Sequence, residues 1–417
     1  MPRRARMPYS NVPTSLLTNG QRLARIRDRR RWTQTRLSTE SGYSLSAVKK
    51  FEQGRRSLDR ADVILRFARA LDCHPTEITG QPYSPPDGDL DGHSAVLSIA
   101  AIRRALLRHG RPSRPSEQEV AGVDMEDLRA RVAEANGYRQ KSALVSSGKV
   151  LPALLRDLQV AVDVVPEADR RQAHDLLASA YECAMQMLYK LGRGADATLA
   201  TERVVWSTME TGDPLRALSG HWYESGEFLA IGEHEEAGAI IDGALTELYR
   251  CATSPEQVSL KGAFHLKASL NHARASEPKS AEKHLALAGK LAETLGGDRN
   301  DFQLQFGPTN VAIWSVSLPV EVGQGREAVR RAAQVTPRLP ADYARERRSH
   351  HFIDVGRAHH YNGRNDEALE SFLHAERLAP QATRMHPAVH ETMNVILNSL
   401  RRTDAYEFAL RLGLRRP

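Results

Sequence analysis

Apolar residues recur at three- and four-residue spacings along almost the whole chain, and no stretch shows the alternation of a half-buried strand. The expected fold class is all-α. In residues 21–30, Leu23 and Ile26 fall on one face. In 60–71, Val63, Ile64, Phe67, Ala68 and Leu71 form an apolar stripe. Two shorter segments lie between. Thr33 is placed to cap the first; Gln34 opens it, Leu37 anchors it, and Gly42 offers a stop that tolerates left-handed backbone. Ser44 is placed to cap the second, 45–53, with Val48 and Phe51 inward and Ser46, Lys49 and Lys50 outward; Gly54 ends it. Asp59 reads as the cap of the next helix, and 74–78 as a short last one.

Residues 80–93 hold three prolines, three glycines and three aspartates, so 81–94 reads as a linker. Beyond it 108–123 reads as a loop, and 128–163 as a helical pair broken near Gly148. Four later segments share a plan: two helices with an alanine after the turn between them. The clearest is 350–380, with Phe352, Val355, Gly356, His359, Ala368, Phe372, Ala375 and Pro380, and Gly363 at its turn. This order of residues resembles the tetratricopeptide repeat (TPR). Weaker copies are 222–248 (Gly232, Ala237), 265–295 (Ala281, Leu285, Ala288) and 310–335 (Gly323, Ala328). The alanines after the turns, 237, 281, 328 and 368, are 44, 47 and 40 residues apart. A TPR is about 34 residues long, so the region is TPR-like, with longer helices or larger loops.

Two short helices on a glycine turn, the second basic outside, form the pattern of a DNA-binding helix-turn-helix. Residues 21–78 resemble the Cro/repressor-like, or XRE-type, domain. Gln34, Leu37, Gly42, Ser44, Val48, Glu52, Gly54 and the pair Arg55–Arg56 carry the resemblance. Ser38, where alanine is common, and Leu45, where a polar reader is common, depart from it. A helix-turn-helix followed by TPR-like repeats resembles the actinobacterial XRE regulators, whose phrase Phe306-Gly307-Pro308-Thr309-Asn310 looks shared. It is more distantly similar to peptide-sensing regulators of Gram-positive bacteria. Charge agrees: residues 1–80 hold 17 Lys+Arg against 7 Asp+Glu, or +10, within a chain of +7. A concentrated positive surface is the footprint of a polyanion partner.

The expected organisation is a disordered basic arm (1–18), a five-helix DNA-binding domain (19–80), the linker (81–94) and a TPR-like domain for sensing and dimerisation (95–417). The resemblance implies that Gln34 clamps a phosphate. Ser44, Leu45, Ser46 and Lys50 approach base edges, and Lys49, Gln53, Arg55 and Arg56 meet phosphates. It also implies an Arg27–Glu52 pair joining the first helix to the third. Threading the repeats turns Trp222, Asn271, Asn310, Ile313, Arg357 and His360 toward an inner surface, where a peptide or a carboxylated small molecule would bind. Double-stranded DNA and a second copy of the chain are the expected partners. The competing function is a DNA-binding protein whose repeats recruit a protein partner, such as an antitoxin or co-regulator, with no small ligand; a TPR adaptor that no longer binds DNA is disfavoured by the basic helix. Cys73, Cys183 and Cys251 are too scattered for a disulfide frame and read as buried, in a cytoplasmic setting. No membrane span, phosphate loop, nucleophile elbow or dinucleotide fingerprint is present, so neither catalysis nor a cofactor is expected. His350, His351, His359 and His360 lack the companions of a metal site.

Overall fold

The computed structural model describes residues 17–108, 115–397 and 399–414. Among them every regular element but one isolated bridge, Arg299 with Phe306, is helical. The chain is all-α, a helix-turn-helix head followed by a helical repeat-like array.

The head comprises α1 (Asn19–Arg29), α2 (Gln34–Ser41), α3 (Leu45–Glu52), α4 (Ala61–Ala70) and α5 (Pro75–Thr79). Leu23, Ile26, Leu37, Val48, Phe51, Phe67 and Ile78 share one core. Most of the basic arm lies outside the described residues, but Leu17 and Thr18 belong to the head. Leu17 is buried, and Thr18 closes a capping box: its hydroxyl accepts the Gln21 N–H (3.1 Å) while the Gln21 side chain accepts the Thr18 N–H (2.9 Å).

The array begins with α6 (Leu90–Arg108), α7 (Glu117–Ala121), α8 (Met125–Gln140) and α9 (Leu144–Val164). Three expectations change here. Ser116 and Glu119 form a capping box that starts α7 inside the supposed loop, of which 109–114 lie outside the described residues. The break near Gly148 falls earlier, at Ser142 (φ 53°); Gly148 sits inside α9, where a side chain would strike Ser98. The linker also ends sooner, since α6 starts at Leu90.

Five helix pairs follow: α10 (Glu167–Lys190) with α11 (Gly194–Glu210), α12 (Pro214–Ile231) with α13 (His234–Arg250), α14 (Pro255–Arg274) with α15 (Pro278–Leu295), α16 (Pro308–Glu321) with α17 (Gly325–Val335), and α18 (Arg345–Tyr361) with α19 (Asn365–Leu378). They share one turn. The residue two before each second helix is left-handed: Gly192, Gly232, Ser276, Gly323 and Gly363, with φ of 67–77°. Glycine suits that backbone because it has no Cβ to clash. The fourth residue of each second helix is a buried alanine: Ala197, Ala237, Ala281, Ala328 and Ala368. Its small side chain lets the paired helices touch. The Ala197 pair extends the sequence-derived series by one. Phe372 lies against Gly356, where a Cβ would come within 2.5 Å of the ring, and Phe306 likewise fills a notch at Gly262. The 306–310 phrase is thus a packing device that ends in the start of α16. The chain closes with α20 (Pro380–Arg384), α21 (Pro387–Ile396) and α22 (Thr403–Arg411).

Candidate nucleic-acid interface

The third helix is built from behind. Thr33 and Ser44 cap α2 and α3 as expected, their hydroxyls accepting the N–H of Arg36 (3.1 Å) and Ala47 (3.2 Å). Gly42 takes φ 72° between them. Ser38 explains its own departure from alanine, because its hydroxyl donates to the Tyr43 carbonyl (2.6 Å) and ties the turn to α2. Tyr43, Phe51 and Phe67 form an aromatic cluster, with Phe51 edge-on to Phe67 at 5.8 Å. Gly20 admits α3 to α1: a Cβ there would fall 1.8 Å from the Phe51 carbonyl oxygen.

Arg27 and Glu52 form the expected pair, Nε to Oε1 at 2.6 Å and Nη2 to Oε2 at 2.9 Å. Gln34 joins them, its amide donating to Glu52 Oε2 at 2.7 Å. In this arrangement the Gln34 side chain braces α3. With the core side filled, Ser44, Ser46, Lys49, Lys50 and Gln53 are exposed, Leu45 is half-buried, and Arg55 and Arg56 are exposed in the following turn. Arg56 lies over the Phe51 ring at 4.9 Å. Lys49, Lys50, Arg55 and Arg56 make the surface so formed cationic.

Residues 20–79 match the family model described as a helix-turn-helix domain. This segment is a helix-turn-helix DNA-binding domain. No curated protein matches the chain.

The helix-turn-helix domain is held along the row of turns between the paired helices. Pro82 lies against Gly192, Leu65 against Gly232 and Arg60 against Gly323; at Gly232 a Cβ would meet Leu65 at 2.9 Å. Arg69 donates to the Gly232 carbonyl (2.7 Å) and pairs with Glu233 (2.9 Å). Asp59 does not cap α4. Arg60 is the N-cap residue and no side chain completes it. The Asp59 carboxylate is buried instead, accepting from Ser57 (2.8 Å), Arg357 Nε (3.0 Å) and the Tyr361 hydroxyl (2.6 Å). Burial opposes its charge, yet these partners hold the carboxyl below its ordinary range. Glu391 of α21 accepts the backbone N–H groups of Asn19 (2.8 Å) and Leu58 (3.1 Å). Burial pushes its carboxyl up to about 7, against those two bonds and the nearby charge of Arg22. Tyr83 stacks on His390 at 3.9 Å, so the linker is laid down on the array.

A cavity of about 950 Å³ separates the domain from the array. Asp59, Ile64 and Thr79 line one side, and Trp314, Arg357 and His386 the other. Of the six residues threaded onto an inner surface, Arg357 alone lines this cavity. Ile313 is sealed in the core. Asn271 is buried, donating to the His234 carbonyl (3.0 Å), and Asn310 is buried, accepting from Arg347 (3.0 Å). Trp222 donates its indole N–H to the Ala263 carbonyl (3.2 Å), and His360 bonds Asn365 (2.9 Å). Trp222, Asn271 and Asn310 are thus held by groups of neighbouring pairs, and His360 by its own pair. Arg357 itself also pairs with Glu321 and Asp354, both at 3.1 Å.

Cys183 is buried, and burial pushes its thiol up to about 12. Cys73 and Cys251 are only half-buried. Among the described residues no three His, Cys, Asp or Glu side chains are grouped to hold a metal ion, and no helix is long and apolar enough to cross a membrane.

Proposed function

We propose that the chain is a sequence-specific transcriptional regulator that binds duplex DNA as a dimer through α3. The supporting observation is the division of labour within the head: its back is clamped to the array while Lys49, Lys50, Gln53, Arg55 and Arg56 stay exposed on the opposite side. Ser44, Leu45, Ser46 and Lys50 approach base edges in the major groove. Lys49, Gln53, Arg55, Arg56 and the start of α2 at Gln34 meet phosphates. The array is a TPR-like scaffold, and the protein works in the cytoplasm.

The effector belongs in the cavity between the DNA-binding domain and the array, rather than at Trp222, Asn271, Asn310, Ile313 or His360. Its apolar wall of Ile64, Leu65 and Trp314 suits a small molecule or peptide with an apolar body. A ligand there touches both bodies, so it can favour one disposition of the domain over another.

The test is duplex binding by the full chain across a salt series. Affinity should fall steeply, and Lys49→Ala with Arg55→Ala should reduce the slope by about one per lost phosphate contact. Binding that ignores salt, or a slope unchanged in the double variant, would remove α3 from the interface.

A further inference from the structure

The first helix of the array carries an apolar seam that nothing among the described residues covers. Gly92, Ala95, Ile99, Ile102, Ala105 and Leu106 of α6 are buried, and the helix packs by that face against α9. On the opposite face Leu90 is 81 % exposed, Leu97 78 % and Leu107 49 %. With His93, Ala100 and Arg104, also exposed, these residues are spaced three, four, three, four and three apart. That is the heptad spacing of a helix that pairs with another helix. Such a seam on a solvent face is costly unless it has a partner.

We infer that α6 is a self-association surface, and that two copies of the chain pair here with their α6 helices antiparallel. The inference rests on the dimeric reading above and names the surface it uses. The end charges select the occupant. Asp91 lies in the first turn, and Arg104 and Arg108 lie at the other end, all exposed. Antiparallel pairing brings the acidic end of each copy to the basic end of the other; parallel pairing sets like against like. The seam is then self-complementary about a two-fold axis. Leu90 meets Leu107 of the second copy, Leu97 meets Ala100, and His93 meets Arg104 in a polar layer that fixes the register.

The geometry also suits DNA. A helix of 19 residues is about 28 Å long. The two α6 N-termini, from which the DNA-binding domains lead, therefore stand about 28 Å apart in an antiparallel pair, against about 8–10 Å in a parallel one. Half-sites one turn apart are separated by about 34–36 Å. One helix pair makes a small interface, so paired half-sites should tighten the dimer by holding both domains at high effective concentration.

The experiment is analytical ultracentrifugation of the full chain over a concentration series, beside Leu97→Glu. Leu97 faces solvent, so the variant should fold, which its circular dichroism checks. The wild type should move from monomer to dimer. Leu97→Glu should raise the dissociation constant roughly tenfold or more, because each copy places a charge in mid-seam. A wild type that is monomeric throughout, with and without DNA, overturns the dimeric reading and this inference together. A wild type and variant that dimerise equally overturn the α6 surface and leave the dimer standing. Disulfide formation sets the direction. A mixture of Leu90→Cys and Leu107→Cys chains should cross-link between copies beyond the wild-type background, and Leu90→Cys alone should not. The reverse result overturns the antiparallel arrangement.

Discussion

Glu391 presents one carboxyl group to two backbone N–H groups of the DNA-binding domain, one in the first residue of α1 and one in the turn before α4. Arg22 and Asp59 are the charged groups around it. Burial lifts its carboxyl from an ordinary 4.5 to about 7. The docked chain therefore holds a proton that the unfolded chain releases between those values. Its contribution favours folding at low pH and is lost as pH rises from about 4.5 through about 7. The buried histidines His265, His351 and His390 act oppositely: burial pushes each down to about 4, so acid destabilises them. The paired carboxylates of Asp59, Glu321 and Glu346, held below their ordinary range, add to this loss on acidification. Comparison with Glu391→Gln isolates the carboxylate, since the variant keeps one acceptor and has no charge to titrate. The thermal midpoint of the wild type minus that of the variant should shrink as pH rises from 5 to 8. Parallel curves across that range would mean that Glu391 is not the buried acid described here.

At the scale of elements, the helix-turn-helix is local and the docking is not. Gly42, Val48 and Phe51 lie within ten residues of one another, and periodicity alone arranged them. The alanine after each turn was equally legible from its spacing in four pairs. The fifth, at Ala197, was missed because α10 buries residues on every side, from Ala173 to Leu188, and so lacks a one-sided stripe. Asp59 was misread as a cap because its partners Arg357 and Tyr361 lie 298 and 302 residues away. No local pattern announces a clamp of that kind, and the same holds for Glu391. Gly20 was also missed, since only the approach of α3 makes it necessary. Gly20→Ala should be far worse than a helical glycine exchange usually is. The added carbon collides with backbone, so destabilisation of about 1–3 kcal/mol or more is expected in urea unfolding. A stabilised variant, the normal result of adding alanine to a helix, would contradict the close contact of α1 with α3.

Taken whole, the molecule concentrates positive charge where the DNA-binding domain sits and places the array behind it. Residues 1–80 carry +10, and the remaining 41 basic and 44 acidic residues carry −3. The array therefore adds little attraction for DNA of its own. In the dimer proposed above, the array would hold two reading helices at a distance set by α6. The central claim is that α3 reads bases, and selection of duplexes from a random library by the full chain tests it most directly. Wild type should recover a two-part motif. Lys49→Ala should recover the same motif with weaker binding. Lys50→Ala should lose discrimination at one guanine in each half-site, worth about 1–3 kcal/mol, while keeping its affinity for random duplex. Recovery of an unaltered motif by Lys50→Ala, or of no motif by wild type, would contradict the reading.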